Sequence, residues 1–325
     1  MGVSAELARQ HVETWSRTLR PYRKLASWPK YLFHTAHVTT AVRILGSGML
    51  KSRSLLEEVE HDVANQGALW NNPEAHKYAR LYFRPRTGFH VRTEGIKRRD
   101  SAYRQQHEMS IPIMLAFDAA SVLSLPQTEF SKTKYSKAQA IGSDDRFFRS
   151  IDFEKVYHDG HIVSEKARKD MSDHRMAEVL VPGHLPLDPH LRWVICRTAL
   201  ERLTLLYLLG PTVIPFQKRV MVERIRQSAF VHCDLYLERL AFSRSGLTLE
   251  FHQPTGRPLA HGKYYVRVAQ ALDDRLVSEW AGFAPATHRV LVPLQAASSE
   301  AIWTIELEEE LAYEGPIPFE QSEIV

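Results

Sequence analysis

Apolar residues recur at near-helical spacing over residues 4–24, where Leu7, Val12, Trp15 and Leu19 fall on one side, and predict an amphipathic helix. A short strand is expected at 31–35, then a helix from about Val38 to Leu45, stopped by Gly46 and Gly48. Residues 54–66 carry a weaker helical pattern. The next strand runs from Ala79 to Arg84 and ends at Pro85. Residues 111–117, Ile-Pro-Ile-Met-Leu-Ala-Phe, form another, with a short helix over 118–123. Residues 126–175 are polar and irregular, with Gly142, Asp144, Asp145, Asp159 and Gly160 as turn signals, and are expected to be a long functional loop. Strands resume at 177–181 and 191–196, and Thr198 to Leu209 reads as a helix closed by Gly210-Pro211. Past residue 219 the texture changes. Segments 235–237, 247–251, 264–268, 275–280, 290–294 and 302–307 alternate with turn-rich gaps, which indicates a small β-sandwich with nothing catalytic in it.

Composition adds limits. With 44% hydrophobic and 25% charged residues, the chain reads as an ordinary globular protein of one large or two small domains. No apolar run reaches the roughly 18–20 residues of a membrane span. The first twenty residues lack a signal-peptide core, and the only cysteines, Cys196 and Cys233, suggest neither a disulfide framework nor a zinc site. A cytoplasmic protein without a membrane partner is expected. Charge is unevenly spread: residues 231–325 hold 14 acidic and 7 basic side chains, which leaves about +11 on residues 1–230. The densest basic stretch is 77–108, and it suggests a polyanionic partner. For Lys97-Arg98-Arg99 alone, a solvated helix face is an equal reading.

The chemistry is carried by three short segments. Glu178 opens the apolar run Val179-Leu180-Val181, the wrong polarity for a core and the right one for a site. Upstream lie Phe33-His34-Thr35-Ala36-His37-Val38 and Tyr82-Phe83-Arg84-Pro85-Arg86-Thr87. In this order, over roughly residues 28–210, the segments resemble the DarT-type DNA ADP-ribosyltransferases, the toxin half of DarTG toxin–antitoxin systems. Two departures stand out. The Thr of the family's His-x-Thr is Ala36 here, so that this NAD contact is lost or taken over by Thr35, and the region 65–72, where the family has an important Arg, holds none. That role falls to Arg80, Arg84 or Arg86.

The resemblance implies an α+β fold, an ADP-ribosyltransferase-like split β-sheet domain followed by a small all-β sandwich-like domain. The expected divisions are an N-terminal helix at 1–27, the transferase domain at 28–215 and an acidic accessory domain at 219–325. It also implies NAD as ADP-ribose donor. Breaking the nicotinamide–ribose bond passes through an oxocarbenium-like state, which a carboxylate stabilises, so Glu178 is the catalytic candidate, with Arg84 beside it. His34, Thr35, Ala36, Arg43, Tyr82, Phe83 and Arg86 are the expected donor-binding residues. One of Tyr82 and Phe83 belongs to the core and the other to the cleft, because they alternate across a strand.

On the acceptor side, aromatics interleaved with cations in 126–175 suit single-stranded nucleic acid. Tyr135, Lys137, Arg146, Phe148 and Arg149 are the candidates, alongside Phe130, Lys132, Lys134 and Phe147. Buried aromatics pinning a loop are the alternative. Histidines 158, 161 and 174 have no second cluster at ligand spacing, so no metal is expected. The leading expectation is transfer of ADP-ribose to a base of single-stranded DNA, in a toxin–antitoxin or phage-defence system, with an ADP-ribosyl-glycohydrolase antitoxin as partner. RNA as acceptor and a non-catalytic nucleic-acid binder with a degenerate transferase fold are the rivals.

Overall fold

The computed structural model describes residues 2–57, 72–104, 108–135, 140–162, 164–223, 228–243, 245–252, 263–285, 288–294 and 300–317. Most of the weak helix expected at 54–66, and all of 65–71, lie outside the described residues. In chain order the front part contains α1 (Ala5–Thr18), β1 (Tyr31–His37), α2 (Val38–Ser47), β2 (Met49–Lys51), β3 (Tyr78–Tyr82), α3 (Gly88–Thr93), β4 (Pro112–Asp118) and α4 (Ala119–Leu123). It continues with β5 (Glu129–Lys134), β6 (Ile141–Gly142), α5 (Asp145–Arg149), α6 (Phe153–Tyr157), α7 (Glu165–His174), β7 (Ala177–Pro182), β8 (His184–Pro186), β9 (Leu191–Cys196), α8 (Ala199–Leu209) and β10 (Val220–Val222).

Eight of these strands form one sheet in the order β10-β9-β4-β1-β3-β7-β5-β6. β4 is central, and Ile113 to Phe117 are fully buried, which is why that segment is apolar without alternation. The sheet nearly parts in the middle. β1 pairs with β4 over seven residues and β3 with β7 over five, yet β1 and β3 meet only at Phe33 and Tyr82. α2 starts where the His37 side chain accepts from the Thr39 amide, and it ends at Gly48, whose φ of 67° is the left-handed stop that glycine takes without strain.

The polar segment 126–175 is more structured than its composition suggests. Among its described residues it holds two strands and three helices, the helices started by Asp144, Asp152 and Ser164 as N-caps that accept from the amides of Phe147, Lys155 and Ala167. α1 contributes Leu7 and Ala8 to the same core as the central sheet, which also takes in Val220, Ala229 and Phe230, whereas Leu235 and Leu237 belong to a second core.

The second unit contains β11 (Leu237–Ser243), β12 (Gly246–Phe251), β13 (Lys263–Leu272), β14 (Arg275–Pro285), β15 (Arg289–Val292), β16 (Ile302–Leu307) and β17 (Glu310–Pro316). A sheet β11-β12-β15 and a sheet β14-β13-β16-β17 share a core of Leu247, Leu249, Phe251, Val266, Val268, Trp303, Ile305 and Tyr313. β17 was hidden in the sequence by the acidic run 308–310. Glu308 and Glu309 are the turn, both with positive φ.

The charge asymmetry is used inside the molecule. Lys97 is buried between Glu108 (3.1 Å) and Asp234 (3.2 Å), and Arg99 and Arg104 both reach Glu308 (3.3 and 3.6 Å). Glu308 also accepts from the Tyr265 and Arg99 amides, and Glu94 accepts from the amides of Val231 and His232. Residues 97–104 thus lie at the seam between the two units, their charges met by Glu108, Asp234 and Glu308. The acidic tail is their counter-charge.

Candidate active site

Where β1 and β3 diverge, a cavity of about 800 Å³ opens, lined by His34, Arg43, Ile44, Leu50, Arg53, Tyr78 and Arg80 among others. Alternation on β3 decides its wall: Ala79, Leu81 and Phe83 go into the core, and Tyr78, Arg80 and Tyr82 stay half-buried on the other face. A second depression of about 480 Å³, between α1 and the α5–α6 region, is lined by none of these residues.

The chemical centre is an ion pair. Arg80 donates from Nε to Glu178 Oε2 at 2.5 Å and from Nη2 to Oε1 at 2.7 Å, the two-pronged geometry that a guanidinium gives a carboxylate. Glu178 is fully buried, and the Arg80 side chain is 29% exposed. Burial disfavours the Arg80 charge, but the adjoining carboxylate outweighs it and raises its pKa. The carboxylate also accepts from the Tyr135 amide at 3.2 Å, and the Glu178 amide donates to Ser131 Oγ at 3.0 Å. Ser131 in turn donates to the Thr133 carbonyl at 2.7 Å, inside the irregular stretch of β5 between Phe130 and Lys134. That irregularity lays the Tyr135 amide on the carboxylate.

His34 faces the same centre. Its Nδ1 lies 3.0 Å from the Arg80 carbonyl, which can only accept, so Nδ1 carries the proton and Nε2 is the acceptor side of the ring. Burial and the Arg80 charge both lower its pKa and keep it neutral. Tyr82 pairs in register with Glu178, and its ring approaches His90 at 6.5 Å.

Several expected residues sit elsewhere. Arg84 does not reach Glu178: it is buried against Asp159 (2.6 Å) and the carbonyls of Val156 and His158, because it lies beyond the point where β3 leaves β7. Arg86 pairs with the other oxygen of Asp159 and does not line the cavity. Phe83 and Ala36 are core, and the Thr35 hydroxyl donates to Met114 Sδ. Arg43 stands on α2 at the cavity rim.

On the acceptor side, Phe130 and Phe148 are fully buried, Tyr135 packs edge-on against Tyr78, and Lys132 covers the Phe147 ring. The aromatics therefore pin the segment and do not offer open stacking faces. Arg146 and Arg149 are exposed on α5, and Lys137 lies outside the described residues. Ser131 lies outside the expected set, and of the three arginines offered by the sequence for the family's missing Arg it is Arg80 that meets Glu178. The readable signal for Arg80 was its place two residues before Tyr82, on the same strand face.

Residues 33–202 match the family described as ssDNA thymidine ADP-ribosyltransferase, DarT. The chain belongs to the DarT family. Its fold resembles Thermus sp. 2.9 DarT in complex with ADP-ribosylated ssDNA, at a TM-score of 0.50 and 15% identity, covering 62% of this chain and 97% of that one. Thermus sp. 2.9 DarT in complex with NAD+ matches at a TM-score of 0.47 and 16% identity, covering 62% of this chain and 98% of that one. The curated proteins contain no significant match to the sequence. The DarT match ends at residue 202, so the acidic β unit lies outside it. Among the described residues, no helix is long and apolar enough to cross a membrane.

Proposed function

We propose that this DarT-family enzyme transfers ADP-ribose from NAD+ to thymidine in single-stranded DNA at the Arg80–Glu178 pair. The observation that carries the assignment is a fully buried carboxylate held in two places by Arg80, an arginine that itself lines a dinucleotide-sized cavity. The Thermus relatives solved with NAD+ and with ADP-ribosylated ssDNA support the same pair of substrates.

The chemistry follows from the groups present. The bond between nicotinamide and the ribose carbon breaks, and its electron pair leaves on nicotinamide. Positive charge grows on the ribose, and the Glu178 carboxylate stabilises it. A nucleophilic atom of thymine forms the new bond, and Glu178 takes the proton which the base gives up. Arg80 orients the carboxylate through its two-pronged contact. His34, neutral and accepting at Nε2, holds a ribose hydroxyl, and Arg43 and Arg53 at the rim face the pyrophosphate. A base reaches this cleft only when unstacked, which suits a single strand.

The reading extends to a cytoplasmic toxin whose adduct a partner glycohydrolase removes, supported by the family resemblance. The test is incubation with NAD+ and matched DNA and RNA oligonucleotides, read by intact mass, with Glu178→Ala as control. An adduct on thymidine-containing DNA, absent in the variant, is expected. An adduct on RNA alone would overturn the acceptor, and an adduct surviving Glu178→Ala would overturn the centre. Growth arrest on expression, relieved by Glu178→Ala, is expected of a toxin.

A further inference from the structure

Arg84 and Arg86 converge on the Asp159 carboxylate, and Arg175 binds the residues on either side of it. Arg84 and Arg86 take the two oxygens of Asp159, and Arg175 Nη2 donates to the Gly160 carbonyl at 2.8 Å and lies 2.8 Å from His158 Nδ1. Trp28 backs the group, with the Arg84 and Arg86 guanidinium carbons 4.8 and 5.3 Å from its ring centroid. Asp159 pairs with two of these arginines and is set against the charge of all three. Their Nε atoms are all buried without a hydrogen-bond partner, and Arg84 is only 2% exposed. Burial, with the neighbouring Arg175 and Arg86 charges, pulls Arg84 down to about 9 in spite of Asp159. A cluster with surplus positive charge and unused donors is built for a further anion.

Its position says which anion. Tyr82 is in register with Glu178, and Arg84 follows two residues later; Arg175 precedes Glu178 by three residues, so their Cα atoms are at most about 11 Å apart. The His34 cavity lies toward the Tyr78–Arg80 end of β3, and the arginine cluster lies past the opposite end, with Glu178 between them. A donor in the cavity and an acceptor strand at the cluster would approach the carboxylate from its two sides.

We propose that Arg84, Arg86 and Arg175 form a subsite for a backbone phosphate of the single-stranded DNA, beside the nucleotide that Glu178 serves. The subsite rests on the functional reading above and specifies its acceptor side. Asp159 holds the guanidiniums in place before the phosphate arrives. With the Arg86 and Asp159 side chains 22% and 27% exposed, the group is open to a strand on the surface. Planar guanidinium forks match phosphate oxygens.

The test uses the full chain and a fluorescent thymidine-containing single-stranded oligonucleotide, with binding read by anisotropy across a salt series. Arg86→Gln and Arg175→Gln are compared with Lys155→Gln, an exposed neighbouring cation paired to Asp170. Each cluster variant should weaken binding by about fivefold or more and lower the salt slope by about 0.7, the share of one single-strand phosphate contact. The NAD+ dissociation constant, by calorimetry, should not move, and thermal unfolding confirms that each variant is folded. Unchanged DNA affinity and slope would overturn the subsite, as would an equal loss from Lys155→Gln, which would mean diffuse attraction. Weaker NAD+ binding with intact DNA binding would give the cluster to the donor instead. A wild-type chain that forms no DNA adduct defeats the functional reading and the subsite together, and an active wild type with indifferent cluster variants defeats the subsite alone.

Discussion

Removing Arg80 should damage the protein more than removing the negative charge it faces. Arg80→Ala leaves Glu178 fully buried, with the Tyr135 amide as its remaining donor. An orphaned buried charge of this kind costs about 3–5 kcal/mol. Since Arg80 is 29% exposed and water can enter the space it leaves, the lower end, about 3 kcal/mol, is expected. Glu178→Gln keeps shape and hydrogen-bonding atoms and leaves a guanidinium already in partial contact with water, so its cost should stay near about 1 kcal/mol. Both variants should lose transfer activity by about a hundredfold or more, since each removes electrostatic stabilisation at the reacting carbon. Urea unfolding gives the stabilities, and intact mass of the oligonucleotide gives the rates. Arg80→Ala as stable as wild type, or Glu178→Gln as costly as Arg80→Ala, would refute the reasoning. Activity retained by Glu178→Gln would remove it from the chemistry.

The remaining expectations test the frame. Phe148→Ala empties a fully buried site among His11, Phe83, Phe130 and Phe153, and should cost about 3–5 kcal/mol in urea unfolding. Arg149→Ala on the exposed face should cost almost nothing, and comparable losses would contradict the burial. Glu308→Ala removes the acceptor of the Arg99 and Tyr265 amides and the counter-charge of two arginines; it should loosen the seam, read as faster protease cleavage between the units, whereas an unchanged cleavage rate would count against the seam. His11 and His90 are buried and neutral, with pKa values lowered to about 3. Their folded values lie below the unfolded one, so their stabilising share is complete above about pH 6.5 and is lost as pH falls toward about 3. His11→Leu should flatten that acid limb in a series of thermal unfolding midpoints, and an unaltered limb would show that His11 does not cause it.

Much of the frame was legible in local pattern. The helix at Val38, the buried strand at 112–118 and the capped helix at 199–209 follow from apolar spacing, Gly48, and the Thr198–Glu201 capping box, all signals within a few residues of one another. The strands of the tail showed through alternation, except β17, whose start is masked by glutamates that serve a turn and a seam. Asp144 read as a turn because a cap and a turn use the same side-chain acceptor, and only the helix that follows separates them.

Glu178 and His34 stood out in the sequence as site candidates because a polar residue next to an apolar strand conflicts with its surroundings wherever the strand lies. Which arginine serves the carboxylate was not identifiable. Arg80 and Arg84 are four residues apart and Arg86 two further on, and strand alternation gives the first two the same face. Only the pairing of β3 with β7 puts Arg80 within bonding distance of Glu178 and sends Arg84 to Asp159, 75 residues away in sequence. The basic run 97–104 was ambiguous for the same reason. Charge is a property of the residue, but its partner is a property of the fold, and Glu308 lies two hundred residues downstream. The sequence by itself determined the elements and the types of group available to the chemistry. The tertiary structure decided which of those groups meet, because ion pairs and hydrogen bonds act over a few ångströms and register alone sets those distances.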